Sequence, residues 1–122
     1  MRTILTVDDS PSMRQMVRAT LESAGYGVVE AADGQEALDL ARTRSVDLVI
    51  SDVNMPRMDG IRLVSELRTL PTYRLTPLLL LTTESSQDKK MEGKKAGATG
   101  WIVKPFNPSQ LLATLGKLLK AA

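Results

Sequence analysis

The sequence of 122 residues contains neither cysteine nor histidine. Without cysteine, the chain can form no disulfide and offers no thiol for catalysis or for a zinc–thiolate site. Without histidine, it lacks the side chain that most often acts as a general base near neutral pH and that most often binds transition metals. Any chemistry must therefore use carboxylates, lysine or hydroxyl groups. Any bound metal should be a hard, oxygen-preferring ion such as Mg²⁺.

Long hydrophobic runs are also missing from the sequence. No stretch is long and apolar enough to cross a bilayer, and Met1-Arg2-Thr3 leads directly into an apolar segment without the layout of a signal peptide. We therefore expect a cytoplasmic protein with no membrane insertion. The chain has 43% hydrophobic and 25% charged residues and a net charge of +2, and we expect one domain over residues 1–122.

Five apolar segments of strand length recur along the chain, separated by helical patterns. The predicted strands are residues 3–7, 28–31, 48–50, 77–82 and 101–103. The predicted helices begin near Pro11, Gly34, Gly60, Ser86 and Pro108. Strict alternation of strands and helices predicts right-handed crossovers and a parallel sheet with helices on both faces. We predict a flavodoxin-like, doubly wound α/β fold with five parallel strands in the order 2-1-3-4-5 and five helices.

The stretch from Asp47 to Pro56 is central to the functional interpretation. Residues 48–50 are a short apolar run, typical of a strand buried on both faces of a parallel sheet. Asp52 follows where this run stops, and Asp59-Gly60 marks the turn beyond it. In open α/β folds, ligands bind at the edge where the strands end. A lone aspartate there could equally be a loop residue or a cap, so its meaning depends on the neighbouring strands.

Three other strand ends carry polar residues that this fold would place beside Asp52, namely Asp8-Asp9, Thr82 and Lys104. Taken singly, Asp9 could cap a helix, Thr82 could close a strand and Lys104 could be solvated. Taken together, three carboxylates in one crevice repel each other unless positive charge lies among them. Lys104 supplies one such charge, and Mg²⁺ would supply the rest, because it accepts carboxylates, carbonyls and retained waters as ligands.

A carboxylate, a metal ion, a lysine and a hydroxyl group together suit one class of reaction, phosphoryl transfer to an aspartate. Carboxylates can accept phosphoryl groups covalently. A metal ion and an ammonium group stabilise the charge that develops on the transferring oxygens. Because the sequence has no histidine, a phosphohistidine donor would belong to another protein.

Five motifs in the sequence resemble those of the receiver domains of two-component response regulators. They are Val7-Asp8-Asp9-Ser10, Ser51-Asp52-Val53-Asn54-Met55-Pro56, Met58-Asp59-Gly60, Leu81-Thr82-Thr83-Glu84 and Val103-Lys104-Pro105-Phe106. The joint spacing is specific although no single motif is, and the resemblance spans the chain and is closest to the single-domain chemotaxis type. It implies a phospho-acceptor in signalling that catalyses only its own phosphotransfer and dephosphorylation, and is otherwise not an enzyme.

The resemblance also implies individual roles at the metal site. Asp52 would be the phospho-acceptor and a metal ligand. Asp9 would bind Mg²⁺ directly, Asp8 would assist through a water molecule, and the backbone carbonyl of Asn54 would add a further ligand. The bond between Lys104 and Pro105 is cis in the family, a feature that sequence alone does not reveal.

Further roles concern the phosphoryl group and the switch. Thr82 would hydrogen-bond the phosphoryl oxygens, and Lys104 would pair with another of them. Asn54 and Glu84 occupy positions that influence how fast receivers lose the phosphoryl group, and they match the fast-cycling chemotaxis type. Trp101 departs from the family, which usually has Tyr or Phe there with a ring that turns inward on activation. An indole is harder to pack inward and its N–H needs a partner when buried, so Trp101 is either a switch residue or a half-exposed strand aromatic.

The resemblance implies partners before and after the phosphorylation step. The donor would be a sensor histidine kinase of the chemotaxis type, and the target a protein such as a flagellar motor switch protein, since we expect no output domain after residue 122. The output face would be the fourth helix, fifth strand and fifth helix, roughly residues 86–120. This region carries Lys89, Lys90, Lys94 and Lys95. Such a cluster first indicates a solvated helix face and, as the second interpretation, a surface that binds an acidic partner. No aromatic platform accompanies them, so we expect no binding to nucleic acid. We also expect a monomer.

Several other functions are compatible with parts of this pattern. A phosphate sink or a regulator of a non-flagellar two-component pathway would carry the same motifs. A phosphohydrolase with a nucleophilic aspartate would need a second acid where Asn54 stands and a cap over the substrate. A flavin- or nucleotide-binding module follows from the fold alone, yet the loop Asp8-Asp9-Ser10-Pro11 is acidic and lacks glycine. A degenerate receiver that acts only as a scaffold would not need the complete set of site residues.

Overall fold

The computed structural model describes residues 1–121, in which strands and helices alternate. The elements are β1 (Thr3–Val7), α1 (Pro11–Ser23), β2 (Gly27–Ala31), α2 (Gly34–Thr43), β3 (Leu48–Ser51), α3 (Gly60–Arg68), a 3-10 turn (Pro71–Tyr73), β4 (Leu78–Thr82), α4 (Gln87–Ala96), β5 (Gly100–Val103) and α5 (Pro108–Ala121). All strand pairs are parallel, and the strands form one sheet in the order β2-β1-β3-β4-β5. The predicted fold class, strand order and number of helices are confirmed.

Local sequence explains where most of the helices begin and where α4 ends. Five side chains accept a hydrogen bond from the backbone N–H three residues further on, which satisfies donors that a helix start leaves without a partner. These capping residues are Ser10, Asp33, Asp59, Ser86 and Asn107. Pro11 stands at the first position of α1, where its fixed φ suits a helix start. Gly97 ends α4 with a φ of 113°, a left-handed conformation that glycine adopts without steric cost.

The strands send alternate side chains into two cores, one on each face of the sheet. The core under α2 and α3 contains Leu5, Val7, Val49, Leu78 and Leu80 from the strands. The core under α1 and α5 contains Ile4, Leu48, Ile50, Leu79 and Leu81. All residues of β3 and β4 are buried, as expected for strands covered on both faces. The ends of β1, β3 and β4 are therefore held rigidly at one edge of the sheet.

Helix α4 is attached to the sheet mainly through a glycine. Gly93 is the only buried residue among the ten of this described helix. A Cβ atom at Gly93 would lie 3.0 Å from Cζ3 of Trp101 and 3.1 Å from Cδ1 of Leu80. The helix therefore approaches the sheet closely only because this position lacks a side chain.

Arg68 joins two loops at the opposite edge of the sheet, the connection between α3 and β4 and the turn between α4 and β5. Its guanidinium donates hydrogen bonds of 2.7 Å to the carbonyls of Tyr73 and Thr76, and bonds of 3.0 and 2.7 Å to the carbonyl of Gly97. Burial lowers the pKa of Arg68 below its ordinary value. No local pattern in the sequence indicates this arrangement, because the acceptors are backbone carbonyls and that of Gly97 lies 29 positions away.

Candidate functional site

Three carboxylates meet at the edge where the strands end. Asp8 and Asp9 follow β1, and Asp52 follows β3, the strand paired with β1. One oxygen from each of the three side chains lies within 4.8 Å of the other two. Asp8 is buried, Asp52 is half-buried and Asp9 is exposed. The structure thus brings together the three acids that the sequence places after two neighbouring strands.

Lys104 reaches this cluster from the end of β5, two strands beyond β3. Its Nζ atom lies 2.9 Å from Oδ2 of Asp8 and 3.5 Å from Oδ2 of Asp52. The lysine side chain is 9% exposed, and the two carboxylates are 7% and 12% exposed. Ion pairs that are this well shielded are screened by salt much less than surface pairs. One ammonium group neutralises one of the three negative charges, so the cluster keeps a net negative charge.

Backbone groups fix the orientation of the two less exposed acids. Oδ1 of Asp8 accepts a 2.9 Å hydrogen bond from the backbone N–H of Ser10, and Oδ1 of Asp52 accepts a 2.7 Å bond from the N–H of Val53. Each carboxylate therefore keeps its second oxygen, Oδ2, directed toward Lys104. A Cβ atom at Gly60 would lie 2.0 Å from the backbone oxygen of Asp52, so only glycine allows α3 to start this close to the loop that carries Asp52.

A second layer of charge supports the loop after β1. Arg14 donates a 2.6 Å hydrogen bond to the carbonyl of Asp8 and a 3.2 Å bond to Oε1 of Glu30. Arg18 donates to the other oxygen of Glu30 at 2.5 Å. The hydrogen bond from Arg18, aided by Arg14 and opposed by burial, lowers the pKa of Glu30. Sequence reasoning missed both arginines, although their spacing of four residues on one helix face was a usable signal.

Thr82, Glu84 and Trp101 are connected by hydrogen bonds beside the cluster. Thr82 is fully buried at the end of β4, and its hydroxyl oxygen accepts a 3.2 Å bond from the backbone N–H of Glu84. The indole N–H of Trp101 donates a 3.0 Å bond to the carbonyl of Glu84. Trp101 is half-buried and packs against the core under α2 and α3. Its N–H therefore has the partner that burial demands, and the missing side chain of Gly93 leaves room for the ring.

The remaining predicted site residues lie in loops at the same edge. Asn54 is exposed in the loop after β3, two residues beyond Asp52, and Glu84 is half-buried in the loop after β4. The bond between Lys104 and Pro105 is cis. The roles assigned to these side chains stay predictions.

The acidic cluster has the chemistry that the predicted Mg²⁺ ion requires. All three clustered side chains offer oxygen ligands, which hard divalent cations prefer. Lys104 balances only part of their charge, and exposed Asp9 leaves one side open to water. The donor set and its excess negative charge fit a magnesium ion that retains water ligands.

The fold and the aspartate–lysine arrangement at its edge define a signalling domain of two-component systems. The family described as the response regulator receiver domain matches residues 4–116, and the chain belongs to this family. The predicted membership is confirmed. None of the helices in residues 1–121 is both long and apolar enough to span a membrane.

Three relatives show how the similarity is distributed. Chemotaxis protein CheY4 of Vibrio cholerae is 56% identical, the match covers 97% of this chain and 98% of CheY4, and the TM-score is 0.92. Response regulator TrrA of Thermotoga maritima, solved in complex with Mg²⁺–BeF, is 33% identical with coverage of 97% and 99% and a TM-score of 0.87. The alkaline phosphatase synthesis transcriptional regulatory protein PhoP of Bacillus subtilis is 37% identical over 117 residues, 96% of this chain and 48% of PhoP. The chain thus spans about half the length of that relative.

Proposed function

We propose that this chain is a chemotaxis response regulator that accepts a phosphoryl group on Asp52. The observation that carries the proposal is the position of Lys104, whose Nζ atom approaches both Asp8 and Asp52 within a cluster of three acids. A lysine so placed can neutralise charge on a group bound to Asp52 while Asp8 is available to a metal ion. A nucleotide-binding edge would instead present glycine-rich loops and backbone N–H groups.

The proposed reaction begins at the carboxylate of Asp52. One of its oxygens forms a bond to phosphorus as the bond between phosphorus and a histidine nitrogen of the donor kinase breaks. Lys104 pairs with a phosphoryl oxygen, and the hydroxyl of Thr82 donates a hydrogen bond to another. A bound Mg²⁺ supplies further stabilisation of the negative charge on these oxygens.

The residues that would hold Mg²⁺ are those of the acidic cluster and the loop beside it. Asp9 and Asp52 would bind through carboxylate oxygens, Asp8 through a water molecule and Asn54 through its backbone carbonyl. Hydrolysis of the phospho-aspartate by water returns the carboxylate, and the side chains of Asn54 and Glu84 set its rate. The chain would act only on its own phosphoryl group, not on a separate substrate.

The hydrogen-bonded series of Thr82, Glu84 and Trp101 suggests how phosphorylation would reach the surface. If Thr82 moves its hydroxyl toward a phosphoryl oxygen, its contact with the N–H of Glu84 changes, and Glu84 also holds the indole of Trp101. Trp101 forms one wall of a groove between α4 and β5 together with Lys90 and Lys94. The output surface would therefore be α4, β5 and α5, read by a partner with acidic groups.

The similarity to CheY4 over nearly the full length of both chains supports chemotaxis as the pathway. The kinase would then be of the chemotaxis type, the target a flagellar motor switch protein, and the regulator a cytoplasmic monomer. A second function is favoured by PhoP, of which this chain matches about half. In that case the domain would control a transcriptional regulator or serve another two-component pathway, for instance as a phosphate sink.

Incubation with acetyl phosphate and Mg²⁺ tests the acceptor residue. The wild-type chain should gain one phosphoryl group that is stable in acid and labile in base, measured by intact mass. Asp52→Asn should gain none. Asp47→Asn is the matched control, since Asp47 lies exposed at the other end of β3 and should leave labelling unchanged. Equal labelling of Asp52→Asn and wild type would remove Asp52 from the reaction.

Binding measurements with the phosphorylated and unphosphorylated chain distinguish the pathways. A flagellar motor switch protein of the same organism should bind the phosphorylated form more tightly. Equal binding of both forms would contradict motor control while leaving phosphorylation of Asp52 intact.

A further inference from the structure

The loop between β3 and α3 is held at one point by an arginine in an unusual conformation. Arg57 has a φ of 67° and is the only non-glycine residue with positive φ among residues 1–121. Side chains with a Cβ atom disfavour this left-handed region, so a non-glycine residue stays there only when other contacts hold it. The same loop carries Asp52 at its start and Asn54 two residues later.

The contact that holds Arg57 is a two-pronged ion pair with Asp33. Nε of Arg57 donates to Oδ2 of Asp33 at 3.0 Å, and Nη2 donates to Oδ1 at 3.1 Å. Planar pairing of this kind fixes direction as well as distance. Asp33 is itself fixed, because it caps α2 by accepting a 2.9 Å bond from the N–H of Glu36 and its side chain is only 12% exposed. The hydrogen bonds from Glu36 and Arg57 lower the pKa of Asp33, so it is charged near neutral pH.

The backbone around this pair shows that the two loops are closely packed. A Cβ atom at Gly34 would lie 2.4 Å from the carbonyl oxygen of Met58. The two ends of the β3–α3 loop are also joined, because the N–H of Gly60 donates a 2.8 Å hydrogen bond to the carbonyl of Val53. The segment from Asn54 to Pro56 is therefore held on one side by the hydrogen bond to Val53 and on the other by the ion pair of Arg57.

We propose that Arg57 is a positioning residue for the magnesium site. Its ion pair with Asp33 holds the β3–α3 loop in the shape that presents the carbonyl of Asn54 to the metal ion. This inference rests on the proposed function, since it assigns a role toward the same Mg²⁺. Arg57 touches neither the metal ion nor the phosphoryl group, and it acts only through the loop.

The expected effect is modest because the arginine side chain is 61% exposed. Ion pairs of this exposure contribute little, so loss of the pair should weaken Mg²⁺ binding by about threefold to fivefold. The effect should appear as a change in metal affinity with a small change in stability, because the pair is not part of either core.

Mg²⁺ titration followed by isothermal calorimetry tests this proposal on five single variants and one double variant. Arg57→Ala removes the ion pair and keeps the steric cost of positive φ, whereas Arg57→Gly removes both. Asp33→Asn removes the charge and keeps a good N-cap for α2. Arg42→Ala is the matched control, because Arg42 pairs with Asp39 on α2, a pair exposed to solvent.

Support for the proposal requires a defined pattern. Arg57→Ala, Arg57→Gly and Asp33→Asn should each weaken Mg²⁺ binding by about threefold to fivefold, and the double variant with Asp33→Asn and Arg57→Ala should be no weaker than either single one. Arg57→Lys should recover part of the affinity, because it restores the charge without the planar fork. Amide hydrogens of residues 54–57 should exchange faster in Arg57→Ala than in wild type, which a purely global loss of stability would not confine to this loop.

Other results overturn it. Unchanged Mg²⁺ affinity in Arg57→Ala would show that the ion pair does not position the loop. A loss of Mg²⁺ affinity in Arg57→Gly but not in Arg57→Ala would also refute the proposal, because it would reflect the added flexibility of glycine. An equal loss in Arg42→Ala would also refute it, because the effect would then be a general consequence of removing positive charge. A wild-type chain that binds no Mg²⁺ would refute the proposed function together with this inference, whereas binding that is indifferent to Arg57 would refute the inference alone.

Discussion

Replacing Gly93 with alanine tests how the indole of Trp101 is accommodated against α4. The new Cβ atom would lie 3.0 Å from Cζ3 and 3.3 Å from Cε3 of Trp101, and 3.1 Å from Cδ1 of Leu80. These distances are shorter than ordinary contacts between carbon atoms, which are about 3.5–4.0 Å. The ring and the helix must therefore move apart by a few tenths of an ångström.

Two effects of this substitution oppose each other. Overpacking a filled contact costs about 1–3 kcal/mol. Alanine in place of glycine inside a helix stabilises by about 1 kcal/mol. Gly93→Ala should therefore lower the free energy of unfolding by about 0–2 kcal/mol relative to wild type. The single variant alone does not separate the two effects.

A second substitution at Trp101 isolates the packing. In a Trp101→Val background, two of the three close contacts are absent while the helix propensity of alanine is unchanged. Gly93→Ala should be about 1–2 kcal/mol more favourable there than in wild type, measured as the coupling energy of a double-mutant cycle. Gly116→Ala is the control, since a Cβ atom at Gly116 in α5 would meet nothing within 4 Å, and it should stabilise both backgrounds equally.

Urea unfolding followed by far-ultraviolet circular dichroism is the suitable assay. Trp101 is the only tryptophan, so fluorescence would be lost in half of the cycle. Coupling below about 0.3 kcal/mol, within the additivity of independent sites, would show that the indole does not rest on Gly93 in solution. The explanation of how this chain fits a tryptophan at this position would then fail.

Two further predictions concern charges outside the acidic cluster. Arg68→Met should lower the free energy of unfolding by about 2–4 kcal/mol in a urea titration, because it leaves several loop carbonyls without their donor; unchanged stability would show that water replaces the guanidinium. Glu30 has a lowered pKa, chiefly through Arg18, so it stabilises the fold above the ordinary glutamate pKa of 4.5, and this contribution is lost as the pH falls through the lower folded-state pKa. The difference in unfolding free energy between wild type and Glu30→Gln should therefore shrink between pH 7 and pH 3, and a constant difference would contradict the assignment.

The fold was predictable because its signals are local. Each strand is a short apolar run, and each helix is bounded by residues that act on their nearest neighbours, such as Pro11 at one start and Gly97 at one end. Parallel strands all end at the same edge, so the positions of Asp8, Asp52 and Lys104 along the chain were enough to predict that they meet there. Only the distances among them required the structure.

The contacts that could not be predicted join residues far apart in the sequence. Arg57 pairs with Asp33 across 24 positions, and Arg68 bonds to the carbonyl of Gly97 across 29. Surface arginines are usually solvated, and the sequence contains no pattern that distinguishes these two. The fit of Trp101 depends on Gly93, and a glycine within a lysine-rich helix indicates only lower helix propensity until the facing strand is known.

Because α4 buries so little of itself, the binding surface of such a regulator can change easily during evolution. Of the ten residues of α4 only Gly93 is buried, while Ala96 is half-buried and packs against the core. Substitutions at the remaining eight positions alter the outer surface while the hydrophobic interior stays as it is. New binding specificities can therefore arise on this helix through a few substitutions that leave the packing of the core unchanged.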